Sequence, residues 1–225
     1  MSKSSPDATA RFFDTVVRLL KQHYPRWKKP SVTALAERTR DPFRVLISTL
    51  ISLRTKDEVT LAASQRLYAL ANTPVSLSRL PEKTIANAIY PAGFYKTKAK
   101  TLRSVSAGLL TRFHGEVPRT LDELLSFKGV GRKTANLVLT QGFGLPGICV
   151  DTHVHRISNR FGVVKTTNPE ATEFALRALL PLRHWIIYND LLVAFGQNVC
   201  RPLSPRCSEC PVAHVCPKVG VTRSR

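Results

Sequence analysis

The residues with the clearest chemical potential are a lysine and a carboxylate eighteen positions apart, Lys133 and Asp151. A nucleophilic amine must be neutral, whereas an ordinary lysine is protonated near pH 7. The start of a helix and the neighbouring cations Lys128 and Arg132 disfavour a further positive charge at Lys133 and so favour its neutral form. Local chemistry therefore leaves two roles open for Lys133, nucleophilic attack on carbon or contact with a phosphate.

The glycines beside this lysine indicate a hairpin between two helices. A short helix from about Leu121 would end before Gly129, because glycine allows a positive φ and a close backbone approach. A second helix would begin near Arg132, and the unpaired N–H groups at its start bind phosphate. The pattern is typical of sequence-independent DNA binding through Gly129, Val130, Gly131 and Arg132. A glycine C-cap between two core helices is the alternative.

Asp151 follows the apolar run Gly147–Val150, at a position typical of a helix N-cap. An N-cap carboxylate accepts hydrogen bonds from backbone N–H groups, which favour its ionised form. An ionised carboxylate is also what stabilises positive charge on a sugar. The two roles are compatible, and the spacing does not choose between them.

Four of the five cysteines are close together near the carboxyl end, with spacings of six, two and five residues: Cys200, Cys207, Cys210 and Cys216. Zinc ribbons usually carry two Cys-x2-Cys pairs, and this chain has one. Four thiolates in so short a segment suit a [4Fe–4S] cluster, with a structural zinc ion as the alternative. Arg201 and Arg206 lie between the first two ligands, where we expect them to contact phosphate.

The charge of the chain favours a polyanionic partner. It has 34 Lys plus Arg against 15 Asp plus Glu, a formal net charge of +19. The cations recur along the chain, which predicts a folded surface that follows phosphates, and they include Lys96, Lys98, Lys100, Arg103, Arg119, Lys128, Arg132, Lys133, Arg201 and Arg206. The first residues are polar and no apolar run approaches the roughly 18 residues of a membrane span. We expect a cytoplasmic, nucleoid-associated, monomeric protein of prokaryotic type that makes no membrane contact.

Apolar residues recur at helical spacing almost throughout the chain. The spacing predicts a helix from Pro6 to near Pro25, and others from Asp41, over about 56–70 and over about 96–113. No sustained alternation of apolar and polar residues predicts a sheet. The fold class expected from these patterns is all-α.

Together these motifs resemble the endonuclease III family of helix–hairpin–helix DNA glycosylases. The resemblance combines Gly129–Asn136, Val150–His153 and the cysteine spacing, in the order found in that family, and extends from about residue 10 to Cys216. It implies two helical domains that flank a DNA-binding cleft. One is a six-helix bundle of about residues 35–145, with the helix–hairpin–helix at 121–142. The other joins residues 1–34 to 146–225 and holds the iron–sulfur loop at 200–216.

The resemblance also implies a substrate and a reaction. The partner would be double-stranded DNA with a damaged base or an abasic site, and an oxidised pyrimidine would be flipped out of the duplex. Lys133 would displace the base from the sugar, Asp151 would stabilise the sugar cation, and β-elimination would then nick the strand. The alternatives are a related glycosylase for alkylated purines or mismatched bases, and a non-catalytic DNA-binding module.

Three residues depart from the family pattern, and a further segment needs interpretation. Lys128 stands where the family usually has proline, and Leu53 and Arg54 stand where it has a small residue and glutamine. In relatives that glutamine fills the gap left by the flipped base. A guanidinium only donates hydrogen bonds, so Arg54 is expected to favour an orphaned guanine over adenine unless it contacts a phosphate instead. In Gly93-Phe94-Tyr95, Phe94 has the size of a wedge that enters the base stack, with Tyr95 beside it.

Overall fold

Helices dominate the computed structural model, which describes residues 6–39 and 41–225. No strand occurs in these residues, and none of their helices has the length and apolarity needed to cross a bilayer. The α-helices are α1 (Pro6–His23), α2 (Ser31–Thr39), α3 (Pro42–Ser52), α4 (Asp57–Leu70), α5 (Pro74–Arg79), α6 (Glu82–Ile89), α7 (Tyr95–Phe113), α8 (Leu121–Leu125), α9 (Arg132–Leu137), α10 (Thr152–Arg160), α11 (Pro169–Leu179) and α12 (Trp185–Asn198).

Local signals in the sequence fix where several of these helices begin. Three of them start with proline at the first position, directly after a side chain that accepts a backbone N–H: Asp41-Pro42, Thr73-Pro74 and Asn168-Pro169. Proline suits this position because its missing N–H would have had no partner there. The all-α class expected from the sequence is confirmed.

The chain divides into two compact units. One is the continuous segment Ser31–Leu145, which contains α2 to α9. Its centre is α3, whose residues from Val45 to Ile51 are all buried and pack against α2, α4, α7 and α9. Helix α7 in turn packs against α5 and α6. The turn that follows α3 and the loop that precedes α7 are therefore each attached to a well-packed helix.

The second unit joins the residues up to Pro30 to Pro146–Arg225. Its core is built around α12, which is buried from Tyr188 to Gly196. The apolar face of α1 packs against it through Phe13, Val16 and Leu20. Helix α10 contacts α12 from another side, so the segment after Asp151 belongs to this core.

Candidate functional site

The glycine segment forms a hairpin between two short helices. Helix α8 begins after Thr120, whose hydroxyl accepts the N–H of Glu123, and ends before a turn in which Gly129 has a φ of +93°. A Cβ at Gly129 would also lie 2.7 Å from the methyl group of Thr101, so both the backbone conformation and the lack of space disfavour a larger residue. The backbone of Gly129 and Gly131 is exposed, whereas the side chain of Val130 is buried at 5% exposure. Val130 can thus meet a DNA strand only with its backbone.

Lys133 is the second residue of α9, which begins at Arg132 as the sequence predicts. Its side chain is half-buried, and the residues that follow it from Thr134 to Leu137 are buried. A π-helical turn, Val138–Gly142, continues α9 directly. The lysine is therefore held at the exposed edge of a well-packed segment, next to the glycine backbone of the hairpin.

Asp151 is the N-cap of α10. Its carboxylate accepts the N–H groups of His153 and Val154, both at 2.9 Å, and it is half-buried. The four residues before it, Gly147–Val150, are buried and fix the entry into the helix. Since two N–H groups use one oxygen, Oδ1, this capping leaves the second oxygen available to another partner.

Two arginines on α10 connect that helix to the cysteine segment, and the sequence reasoning did not single them out. Arg156 donates to the carbonyl of Cys200 at 2.8 Å, and Arg160 donates to its Sγ at 3.3 Å. Burial is the first cause that lowers the pKa of Arg156. The sequence shows that both arginines share a face of the helix, because residues four apart lie on the same face. It does not show their partner, since Cys200 is 44 residues from Arg156 and 40 from Arg160.

The four clustered cysteines line one pocket, whose other walls include Phe161, Phe195 and Val212. Burial raises the pKa of Cys210 to about 12 and also raises that of Cys216. A metal at this site would therefore have to displace protons from both thiols. The backbone N–H of Lys218 donates to Sγ of Cys216 at 3.4 Å, a contact that also suits a bound thiolate. Among the described residues, no three His, Cys, Asp or Glu side chains are arranged so that they could hold one metal ion together.

The loop between the first two of these cysteines is partly exposed. Arg201 is exposed, and its carbonyl accepts a hydrogen bond from Arg160 at 2.7 Å. Arg206 is half-buried and lies 3.7 Å from the carboxylate of Glu209. Arg201 is thus the better placed of the two for a phosphate contact.

The two segments expected to reach into DNA lie side by side. Arg54 follows α3 in an exposed turn, and Phe94, at 63% exposure, precedes α7. The guanidinium of Arg54 lies over the ring of Phe94 at 5.5 Å. Leu53 is half-buried, and Tyr95 is half-buried with its ring edge-on to that of Tyr90. The exposed pair is therefore Arg54 and Phe94.

Lys98 is not part of the basic surface, and the sequence-based assignment of this residue to a phosphate-following surface is wrong. It is 8% exposed, and its Nζ donates to the carbonyls of Ile51 and Leu53 and to the hydroxyl of Thr55. Burial lowers the pKa of Lys98 to about 8. Its position was readable in the helical period, since Lys98 shares a face of α7 with the buried Leu102 and Val105.

Comparison with known proteins gives a consistent set of similarities. Residues 47–182 match the family model of the HhH-GPD superfamily base excision DNA repair protein. Endonuclease III of Thermotoga maritima is 48% identical over 176 residues, which is 78% of this chain and 83% of that protein. The structure of a non-covalent endonuclease III–DNA complex aligns with a TM-score of 0.82 and 31% identity, over 96% of this chain and 97% of that one. A trapped endonuclease III–DNA covalent intermediate, an estranged-adenine complex, aligns with a TM-score of 0.75 and 35% identity, over 79% and 84%.

Proposed function

The chain belongs to the HhH-GPD superfamily of base excision DNA repair proteins, in its endonuclease III family, and on that premise we propose that Lys133 is its nucleophile and oxidised pyrimidines its substrates. The protein is a DNA glycosylase with lyase activity at abasic sites. The observation that carries the assignment of Lys133 is its place at the start of α9, next to the exposed glycine backbone of the hairpin. A DNA strand that lies against this backbone brings a sugar close to the amine.

The proposed reaction proceeds in two stages. The lone pair of the neutral Lys133 amine attacks C1′ of the flipped nucleotide, and the bond from C1′ to the base breaks with its electrons going to the base. The base takes up a proton and leaves, and the attached amine loses a proton. The C1′–O4′ bond of the sugar ring then breaks as O4′ takes up a proton, which gives a protonated Schiff base between lysine and sugar. Loss of a proton from C2′ then breaks the C3′–O bond, which nicks the strand and releases a 5′-phosphate end.

Asp151 is proposed to stabilise the positive charge that develops on the sugar. Its cap to His153 and Val154 supports this role, because the two N–H groups hold the orientation of the carboxylate. The same bonds make the carboxylate preorganised, so little free energy is lost in orienting it during the reaction.

Arg54 is proposed to face the orphaned partner base. Its exposed position beside Phe94 supports this role. Because guanidinium groups only donate, guanine, with acceptors at O6 and N7, is the preferred partner over adenine. This preference would distinguish the chain from relatives that carry glutamine at the corresponding position.

The four clustered cysteines are proposed to hold a [4Fe–4S] cluster. The shared cavity with apolar walls and the N–H and guanidinium donors at Sγ of Cys216 and Cys200 support this assignment. When bound, the cluster would act as a structural cross-link of the carboxyl-terminal segment, and base removal needs no step through it. Arg201, on the loop beside it, is proposed to contact a phosphate.

Borohydride trapping tests the nucleophile directly. Borohydride reduces a Schiff base to a stable amine, so wild-type protein should become covalently attached to a duplex with a single thymine glycol. Lys133→Gln should lose trapping and base release while it retains affinity for the duplex within about threefold, since it removes one of many cations. The matched control is Lys83→Gln, an exposed lysine on α6, which should trap as wild type does. Undiminished trapping by Lys133→Gln would assign the chemistry to another amine.

A further inference from the structure

Lys98 makes three short hydrogen bonds from inside the unit formed by Ser31–Leu145. Its Nζ lies 2.6 Å from the carbonyl of Ile51, 2.6 Å from that of Leu53 and 2.8 Å from Oγ1 of Thr55. An ammonium group has three N–H bonds, and here each has an acceptor. Two of the acceptors lie in the last turn of α3 or just beyond it, where carbonyls lack helical partners and the helix dipole favours a cation.

Thr55 connects the hydrogen bonds of Lys98 to a second loop, residues 91–94. Its Oγ1 accepts the N–H of Gly93 at 3.1 Å as well as the Nζ–H of Lys98. Gly93 comes so close to the first turn that a Cβ would lie 2.5 Å from the carbonyl oxygen of Arg54. The turn at 52–56 and the loop at 91–94 are therefore in direct contact. Lys98 lies on their buried side, and the Arg54–Phe94 pair lies on their exposed side.

The two exposed residues of this pair have unusual backbone conformations. Arg54 has a φ of +53° and Phe94 a φ of +57°, in the left-handed region that residues other than glycine rarely adopt. Such conformations persist only where surrounding contacts enforce them. On the buried side of the turn, those contacts are the hydrogen bonds of Lys98 to the residues before and after Arg54.

We propose that Lys98 is a positioning residue that holds the turn at 52–56 and the loop at 91–94 together as one preformed wedge for the gap left by a flipped nucleotide. The inference rests on the proposed role of Arg54 and Phe94 at that gap. A wedge must replace lost base stacking, and a preformed one does so without the cost of ordering two loops on binding. Because all three of its protons are bonded within the fold, Lys98 contacts the wedge and not the DNA.

The test uses a variant that removes the donors and keeps the length of the side chain. Lys98→Met removes the ammonium donor from both carbonyls and leaves that of Leu53 only its bond from Oγ1 of Thr55. Thr55→Val is a milder variant that removes the link to Gly93, one bond to Lys98 and the bond from Oγ1 to the carbonyl of Leu53. Lys83→Met is the matched control, since it removes one exposed lysine from a helix of the same unit. Circular dichroism and thermal melting establish that each variant is folded, and Thr55→Val decides the question if Lys98→Met is not.

The direct measurement is the fluorescence of 2-aminopurine placed opposite a stable abasic-site analogue, because this base brightens when its stacking is disturbed. Wild type at saturation should raise the signal, and Lys98→Met and Thr55→Val should give a rise at least about twofold smaller, since a loosened wedge occupies the gap for less of the time. The control should match wild type. In the same variants, release of a lesion paired with guanine should fall about 10- to 100-fold, the scale of a small misplacement. Release of the same lesion opposite the abasic-site analogue should change less than about threefold, because no partner has to be separated.

Two results would overturn the proposal. An unchanged fluorescence rise in both folded variants would remove Lys98 from wedge formation and leave the proposed role of Arg54 and Phe94 intact. The absence of any rise with wild type would reject the wedge itself, and Lys98 with it. Neither result bears on Lys133, which is judged separately by borohydride trapping.

Discussion

Asp151 has a chemical role proposed for it and a structural role that the hydrogen bonds define, and one substitution separates them. Asp151→Asn keeps an oxygen that can accept the N–H groups of His153 and Val154, so the cap on α10 should survive. The negative charge is lost, and single-turnover base release should fall by about 10²- to 10³-fold, the usual scale for one electrostatic stabiliser. DNA affinity should hardly change.

The chain contains its own control for this experiment. Asp41 caps α3 in the same way, through the N–H groups of Phe43 and Arg44. Asp41→Asn should therefore release the base at the wild-type rate. An equal rate in Asp151→Asn would reduce Asp151 to a helix cap.

Single residues were predictable from the sequence where their partners are local. The cap at Asp151 involves residues two and three positions away, and the sequence placed it correctly. The acceptors of Lys98 are 43 to 47 positions away, so no local pattern identifies them. Lysine is also rarely buried, which is why a charge-based interpretation assigned it to the surface.

At the scale of elements, the metal content of the cysteine segment tests the proposed [4Fe–4S] cluster. Wild-type protein should contain about four iron and four sulfide per chain and absorb visible light, as a [4Fe–4S] cluster does. Cys207→Ala should lose most of the iron, because three thiolates hold the cluster poorly, and the segment should become sensitive to protease. Iron and acid-labile sulfide analysis, together with limited proteolysis, measures both effects.

Cys149 supplies the matched control for the cluster. It is buried but does not line the cavity of the other four cysteines, so Cys149→Ala should keep its full iron content. Stoichiometric zinc in protein purified without oxygen would contradict the cluster assignment.

Helix boundaries were predictable to within a residue or two, because the helical spacing of apolar residues marks the extent of each helix. The helix expected over about 56–70 is Asp57–Leu70, and that expected over about 96–113 is Tyr95–Phe113. The π-helical turn at Val138–Gly142 was not expected. It adds one residue to a helical turn, and the helical period in the sequence does not reveal such an insertion.

At the scale of the whole molecule, the net charge of +19 predicts binding that depends strongly on salt. If about six phosphates are contacted, affinity for undamaged duplex should fall about 10³-fold between roughly 50 and 200 mM salt. Arg201→Gln should lower the slope of log affinity against log salt concentration by about one, as expected for one lost phosphate contact. Fluorescence anisotropy over a salt series measures both, with Lys83→Gln as the variant whose slope stays unchanged. A flat slope in wild type would mean that the excess charge does not face DNA.

The helical class and the family were evident from the sequence because each depends on short-range patterns. Short-range patterns do not predict which distant segments contact each other, such as the approach of Gly93 to the carbonyl of Arg54. A motif fixes residue types along the chain, whereas a site also needs contacts that only tertiary packing creates.

The packing of α1 against α12 has a consequence for folding during synthesis on the ribosome. The two helices belong to one core, yet about 160 residues separate the end of one from the start of the other. At roughly 5 to 20 residues per second, translation needs on the order of 8 to 30 s to supply the missing partner. Throughout that interval Phe13, Val16 and Leu20 have no α12 to cover them, while the whole of Ser31–Leu145 leaves the exit tunnel first. The nascent chain thus offers an uncovered apolar helix to chaperones, and α1 reaches its final place only after Ser31–Leu145, although it is synthesised before that segment.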